Sequence, residues 1–465
     1  MKKLGVVITD GVGFRNFVMS DFLAEANLQF DTIIIYSGLP SSVYPAGLPL
    51  GVIVTELDVF VEGKWTWFFR KWKELAHLQQ YKSFYGMKDN LRSGYPKTNS
   101  ARSILVKFIY FFTHIIHTSA SILFAEKLQF LSFANHKITK DYRQLLRKDQ
   151  PTHIFFTHQR PPYLAPFLYA AIESKIPVSS FIFSWDNLAS KGRMLGTFNH
   201  FLVWSDLMKK ELLYFYPKVT GEQVSVVGTP QFEPYVMDKY KTEKHDFYSK
   251  FTLHDNKKII CFSCADASIG ANDPIVIRTI GNAIRKDTIG IPCQLVVRTS
   301  PAESPERFAG IQKDFPEIIW NTPKWILTRE NHAESWSQRI PSVEDIKDLR
   351  SILEYADLNI NMCSTMSLDF MLFDTPVINT VFGNPENDLY DDQRFLGYDH
   401  FKKVVESESV AIAKNPTELM DQIKDALAHP SARTKERKFM IDLQISKQLN
   451  GTSARIAATL SKWND

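Results

Sequence analysis

Cysteine is scarce: 465 residues hold four, at positions 261, 264, 293 and 363. Cys261 and Cys264 have CxxC spacing, but no second pair and no histidine accompanies them. The four are therefore read as buried free thiols, suited to a reducing compartment, and not as a metal or redox centre. A long apolar run is also lacking. The most apolar window, Ile104–Phe124, is broken by Lys107, His114 and His117, whereas a spanning helix needs about 20 mainly apolar residues. A buried or interfacial helix pair is expected there. Lys2 and Lys3 precede only a five-residue apolar stretch before Thr9 and Asp10, too little for a secretion signal, so a cytoplasmic location is expected. No low-complexity segment or 20–50-residue repeat occurs. Charge of one sign is lacking as well: 55 basic against 51 acidic side chains leaves +4, which gives no basis for a nucleic-acid partner.

What is present is ordinary globular composition, 44% hydrophobic and 23% charged, with 34 phenylalanines that must mostly be core. The length allows two domains or three. Short β-branched or aromatic runs at Leu4–Thr9, Thr32–Tyr36, His153–Thr157, Val178–Trp185 and His200–Trp204 alternate with helical stretches such as Tyr163–Ser174 and Leu207–Phe215. The pattern restarts at Lys257 with runs at Ile259–Cys264, Gln294–Arg298, Glu317–Asn321, Asp357–Met362 and Pro376–Thr380. Such alternation predicts parallel sheets covered on both faces. The fold class is α/β with two Rossmann-like domains: residues 1–240, carrying a helical insertion around 59–137, and residues 256–430. The polar stretch Glu233–Asp255 serves as linker. Ser342 and Asp345 predict a capping-box start to a helix ending near Tyr355, and Ser431–Trp463 reads as helical.

Ligands of open parallel sheets lie beyond the carboxyl ends of the strands. In the first array those ends carry Asp10 (in Asp10-Gly-Val-Gly-Phe14), His158 (in Thr157-His-Gln-Arg-Pro-Pro162) and Asp186 (in Ser184-Trp-Asp-Asn187). In the second they carry Asp266, Arg298 and the turn at Ser364 and Thr365, followed by Asp369. A strand running into a hydroxyl-bearing turn and a helix predicts unpaired backbone N–H groups at the positive helix end, an anion site fit for phosphate. Each residue also has a plainer use. Ser364 and Asp186 can be helix caps, Asp10 with its glycines a turn, His158 a satisfied loop histidine, and Arg298 half of an ion pair.

With these features in place the chain resembles the two-domain GT-B glycosyltransferases, and its motif order is similar to that of the CDP-glycerol glycerophosphotransferases of teichoic acid synthesis. The resemblance runs from about His153 to Thr380. It is carried by Val227-Gly-Thr-Pro230, Asp345-Ile-Lys-Asp-Leu349, Ala356-Asp-Leu-Asn-Ile360, Ser364-Thr-Met-Ser-Leu-Asp-Phe370 and Thr375-Pro-Val-Ile378. It implies that the second domain holds a nucleotide donor across a cleft from an acceptor-binding first domain. Ser364 and Thr365 would bind the diphosphate, Asp369 would lie near the ribose and Arg298 would contact phosphate. Residues 431–465 would pack back on the first domain. The chain departs from that family at Trp185-Asp186-Asn187, where the family has Trp-His-Gly, and at Ser300-Pro301, where it has His-Pro.

Losing both histidines shifts the expected chemistry from glycerol-phosphate transfer to sugar transfer. The expected reaction is inverting transfer from a nucleotide-sugar to a hydroxyl of a surface glycan or lipid-linked glycan. Asp186 is the first choice as general base, with Asp10 or His158 in reserve. Arg298 and the Ser364–Thr365 turn would stabilise the leaving diphosphate, so neither an obligate metal nor a cofactor is expected. Other readings are a CDP-polyol phosphotransferase, a nucleotide-sugar 2-epimerase and a non-catalytic scaffold. Trp65, Phe68, Phe69 and Trp72, interleaved with Arg70, Lys71 and Lys73, suit a membrane headgroup zone. They equally suit a domain core or an acceptor groove.

Overall fold

A computed structural model of the chain describes residues 1–330, 335–383 and 392–463. Two compact units share it. One comprises Met1–Gln231, Thr328–Gln338 and Gln444–Asp465; the other comprises Phe232–Leu327 and Arg339–Leu443.

The first unit is built on a seven-stranded sheet: β1 (Lys3–Ile8), β2 (Thr32–Ser37), β3 (Val52–Glu56), β4 (His153–Phe156), β5 (Val178–Phe181), β6 (His200–Val203) and β7 (Val224–Val226). All pairs are parallel, in the order β3-β2-β1-β4-β5-β6-β7. The central strands are buried almost throughout, as an apolar strand covered on both faces must be. Strand order reverses between β1 and β4. Val7 is level with Phe156 in that pair, so the chain leaves both strands at one height and opens a crevice at their carboxyl ends.

Between β3 and β4 stand five helices, Lys64–Gln80, Tyr85–Ser93, Ala101–Ile115, Ser119–Phe133 and Lys137–Asp149. Ser100 and Thr118 start the third and fourth by accepting, at 3.2 Å each, from the N–H groups of Ser103 and Ser121. The C-terminal helix Thr452–Lys462 belongs to this unit. It buries Ile456, Ala457 and Leu460, and Trp463 stacks on His200 at 4.5 Å. Gly228 takes φ +82 beneath it; a Cβ there would lie 3.1 Å from that of Lys447, which accounts for glycine in the Val227-Gly-Thr-Pro230 turn.

The second unit holds a six-stranded parallel sheet in the order β10-β9-β8-β13-β14-β15. Its strands are β8 (Lys258–Ser263), β9 (Cys293–Arg298), β10 (Ile319–Asn321), β13 (Leu358–Asn361), β14 (Val377–Thr380) and β15 (Ala411–Ala413). An antiparallel pair, β11 (Trp325–Leu327) and β12 (Arg339–Pro341), lies beside it in sequence. Here the order reverses between β8 and β13, where Ser263 is level with Asn361.

Several expectations change. Strands β3, β7, β11, β12 and β15 are additional to the runs read from sequence. The stretch Glu233–Asp255 is folded, with short turns at Glu233–Val236 and Asp238–Tyr240 and a helix at Lys244–Phe251. Ser342 does cap the helix Val343–Tyr355, accepting from the Asp345 N–H at 3.1 Å. The Asp345 carboxylate does not complete the capping box, because Arg298 and Trp325 hold it.

Candidate functional site

The crevice between β1 and β4 brings together two of the residues read from sequence. Asp10 caps the helix Gly11–Phe17, its Oδ1 accepting from the Gly13 N–H at 2.8 Å. Its Oδ2 accepts from the Thr9 hydroxyl at 2.5 Å and faces His158 Nδ1 at 3.2 Å. Gly13 is needed here, since a Cβ would sit 3.1 Å from the Thr157 hydroxyl. Both partners are buried. Burial alone would raise the Asp10 carboxyl; the hydrogen bond and charge of His158, with the bonds from Thr9 and Gly13, outweigh it and hold the carboxyl below its ordinary value. The His158 ring is clamped from one side by Phe183, stacked at 3.9 Å. With Nδ1 committed to Asp10, Nε2 has no hydrogen-bond partner among the described residues. A carboxylate that orients an imidazole and leaves the second nitrogen open is the arrangement a general base requires.

Asp186 comes near by a different route. Gln159 joins the two loops, accepting from the Phe183 N–H at 3.1 Å and donating to Asn187 at 2.9 Å. The Asp186 carboxylate accepts from Asn187 at 3.0 Å and pairs with Lys191 at 3.4 Å. It makes no side-chain cap to the short helix that follows.

In the second unit the β13 turn is held from below by a buried amide ladder. Asn361 Oδ1 accepts from the Ser364 N–H and from Asn379, both at 2.9 Å, and Asn361 donates to Asn359 at 2.7 Å. Cys363 adopts φ +48, which turns the chain sharply into the six-residue helix Met366–Met371. The expectation of several open N–H groups is corrected by this geometry. Ser364 donates to Asn361, Met366 to the Ser364 hydroxyl, Ser367 to the Ser364 carbonyl, and Leu368 and Asp369 to the Thr365 carbonyl. What Ser364 leaves open is its hydroxyl proton, which donates to no described residue.

No family model matches the sequence, and no curated protein matches it. By structure the chain has many counterparts. The chain aligns over 100% of its length with 97% of MnaA from S. aureus, solved with UDP, at 12% identity and TM-score 0.51. It aligns over 99% of its length with the whole of the UDP-GlcNAc 2-epimerase from Neisseria meningitidis bound to UDP-GlcNAc, at 13% identity and TM-score 0.50. It also aligns over 100% of its length with 88% of the wall teichoic acid polymerase TagF soaked with CDPG, at 10% identity and TM-score 0.50. The fold is GT-B. At these identities the likeness establishes two Rossmann-like domains in one order and nothing finer.

Of the remaining predicted residues, Arg298 and Asp369 are buried, while Asp266 and Trp65 are not. Arg298 is buried at the end of β9 and donates to Asn321 and, at 3.0 and 3.1 Å, to both oxygens of Asp345. Arg298 thus makes an internal ion pair, the partner a buried guanidinium needs. Asp369 is buried and accepts from the Tyr235 hydroxyl. Asp266 closes its own turn on Ser268. Trp72 packs on Phe112 at 4.9 Å, Phe69 on Trp72 at 6.4 Å, and of the four aromatics only Trp65 is largely exposed. Among the described residues no group of three His, Cys, Asp or Glu side chains forms a metal-holding cluster.

Sequence reasoning missed the supporting residues. Tyr163 donates to the Thr9 carbonyl at 2.8 Å and Thr157 to that of Val7 at 2.7 Å, and both bonds fix the rim of the crevice. Arg160, two positions after His158, pairs with no carboxylate among the described residues, and its Nε is buried without a partner. A cation inside the Thr157–Pro162 motif was the available signal.

Proposed function

We propose that the chain is a GT-B transferase moving a sugar from a nucleotide-sugar donor to a hydroxyl of a glycan or lipid-linked glycan. The observation that carries this is the buried Asp10–His158 couple with Nε2 left open at the crevice of the first unit. In this reading Asp10 orients the His158 ring through Nδ1, and Nε2 takes the acceptor hydroxyl proton as that oxygen attacks the anomeric carbon. The bond to the nucleotide diphosphate breaks in the same step, and the diphosphate leaves with its negative charge. The hydroxyls of Ser364 and Thr365, on the second unit, are the groups proposed to donate to that diphosphate. Support for the donor class comes from the ligands named with the structural neighbours, UDP, UDP-GlcNAc and CDPG. Asp186 passes from first choice to supporting group, because Lys191 and Asn187 occupy its carboxylate.

Incubating the protein with a panel of labelled nucleotide donors, with and without lipid-linked glycan acceptors, tests the reading. Acceptor-dependent release of a nucleoside diphosphate, lost in His158→Asn, is the expected result. Release of a nucleoside monophosphate from a CDP-polyol would assign polyol-phosphate transfer instead. Turnover of a UDP-sugar with no acceptor would assign epimerisation. Failure of every nucleotide to shift thermal stability would remove the enzymatic reading altogether; a ligand at 100 times its Kd adds about 2.7 kcal/mol.

A further inference from the structure

The helix Ala101–Ile115 in the first unit has two unlike faces. Ile109, Tyr110 and Thr113 are buried, and neighbouring Phe112 packs on Trp72 of the helix Lys64–Gln80. On the other side Ile104, Phe108, Phe111 and Ile115 follow one another at helical spacing and are 55–67% exposed. The next helix, Ser119–Phe133, presents Phe124 and Leu131 outward as well. The two apolar faces are joined by ring contacts, since Phe108 stacks on Phe112 at 6.4 Å and Trp72 meets Phe124 at 6.2 Å. Trp65 continues the surface through Phe69 at 6.1 Å. Exposed apolar surface of this extent on a water-soluble domain marks a contact site.

Charge around the patch selects the occupant. Residues 90–125 contain no Asp or Glu, yet hold Arg92, Lys97, Arg102 and Lys107. Arg102 lies over the Trp67 ring at 5.1 Å, and Lys107 reaches Asn99 at 2.7 Å, so neither is engaged by a carboxylate there. Glu126, the first acid after this stretch, is buried and turned toward Thr197 and Lys73. Apolar side chains on a stretch that carries cations and no acid match an anionic bilayer surface. A second copy of the chain would bring the same positive rim against itself, which disfavours self-association through this face. The helix is too short to cross a bilayer: fifteen residues give about 22 Å, short of a hydrocarbon core of about 30 Å. No helix among the described residues is long and apolar enough to span.

We propose that the faces of Ala101–Ile115 and Ser119–Phe133 dock the protein on an anionic lipid surface, with Phe108 and Phe111 inserted and Arg102 and Lys107 at headgroup level. This differs from the expectation that placed Phe68, Phe69 and Trp72 in the headgroup zone; they form the packed base beneath the patch. The inference is independent of the sugar-transfer reading, since vesicle binding can be measured on protein that turns over no donor.

The test is co-sedimentation of the full chain with vesicles of phosphatidylcholine alone and of phosphatidylcholine mixed in roughly equal parts with phosphatidylglycerol. Binding to the mixed vesicles at low salt, weakened at high salt and absent on phosphatidylcholine, is expected. The exposed double variant F108S/F111S should fold normally and lower partitioning at least about tenfold. R102Q/K107Q should weaken binding and flatten its salt dependence. Wild-type protein that stays in solution with mixed vesicles at low salt would overturn the proposal. So would binding that F108S/F111S leaves intact. A dimer that F108S/F111S dissolves, with no vesicle binding, would assign the patch to a second copy instead.

Discussion

In the proposed reaction His158 and Asp10 divide one task between them. His158→Asn keeps volume and removes the basic nitrogen, so kcat should fall about 10²- to 10⁴-fold while thermal unfolding stays close to wild type. Asp10→Asn should also lower kcat, because an amide can donate to Nδ1 and reverse which nitrogen carries the proton. The same variant makes a statement about stability. A carboxyl held below its ordinary value contributes stability that is fully present above the unfolded value near about 4 and is lost as pH falls through the folded value. Wild type should therefore exceed Asp10→Asn in denaturant unfolding at pH 7, with the gap closing below pH of about 4; a gap independent of pH would deny the coupling to His158. Arg298 carries the opposite lesson. Arg298→Ala leaves Asp345 buried without its cation, so a loss of about 3–5 kcal/mol of stability is expected, measurable in urea. A fully stable but inactive Arg298→Ala protein would restore the phosphate role.

One turn decides whether the second unit can present hydroxyls at all, and its support is a ladder of buried amides. Asn361→Leu fits the space but orphans the Ser364 N–H and Asn379 donors, at about 1–3 kcal/mol for each group left unpaired. At Cys363, φ +48 tolerates glycine and resists a β-branched side chain, so Cys363→Val should be less stable than Cys363→Gly by at least roughly 1–2 kcal/mol in thermal melts. Equal melting temperatures would show that the turn relaxes. Most strands flanking such turns were legible, because strands covered on both faces are short, apolar and β-branched, and helices separate them. β3 escaped that pattern: residues 38–51 contain only a short turn at Ser41–Val43, so no helical stretch announces the strand. β7 and β15 are three-residue edge strands, too brief for any periodicity. β11 and β12 form an antiparallel arm outside the alternation. The strand-end positions of Asp10 and His158 were readable from the same pattern. Their mutual contact was not, because it spans 148 residues and depends on β1 lying beside β4. Arg298 and Asp345 were each visible, and only their pairing, across 47 residues, was not.

Chain order and spatial order part company in the first unit, which takes its last helix from the far end of the sequence. Arg455 donates to the Val227 carbonyl at 3.1 Å, and Gly228 lies against Lys447. The hydrophobic contribution of this segment is large. Ile456 and Leu460 are buried, at about 1.5–3 kcal/mol each, and losing Trp463 removes the ring stacked on His200. For a domain whose net stability is only about 5–15 kcal/mol, that is enough to decide whether it folds. Residues 1–231 alone should therefore yield a protein with helical circular dichroism but no cooperative thermal transition. Fusing residues 444–463 after position 231 through a short flexible linker should restore a sharp one, since Gly228 and Lys447 already lie in contact. The Asp10–His158 crevice would then exist in isolation, and His158 could be titrated by NMR without the second unit. A sharp transition in the bare 1–231 fragment would show that the sheet needs no C-terminal helix. The second unit, by contrast, takes all six strands of its parallel sheet from Phe232–Leu327 and Arg339–Leu443, with only Thr328–Gln338 given to the first unit, so residues 232–443 expressed alone are the piece on which the proposed nucleotide binding can be measured.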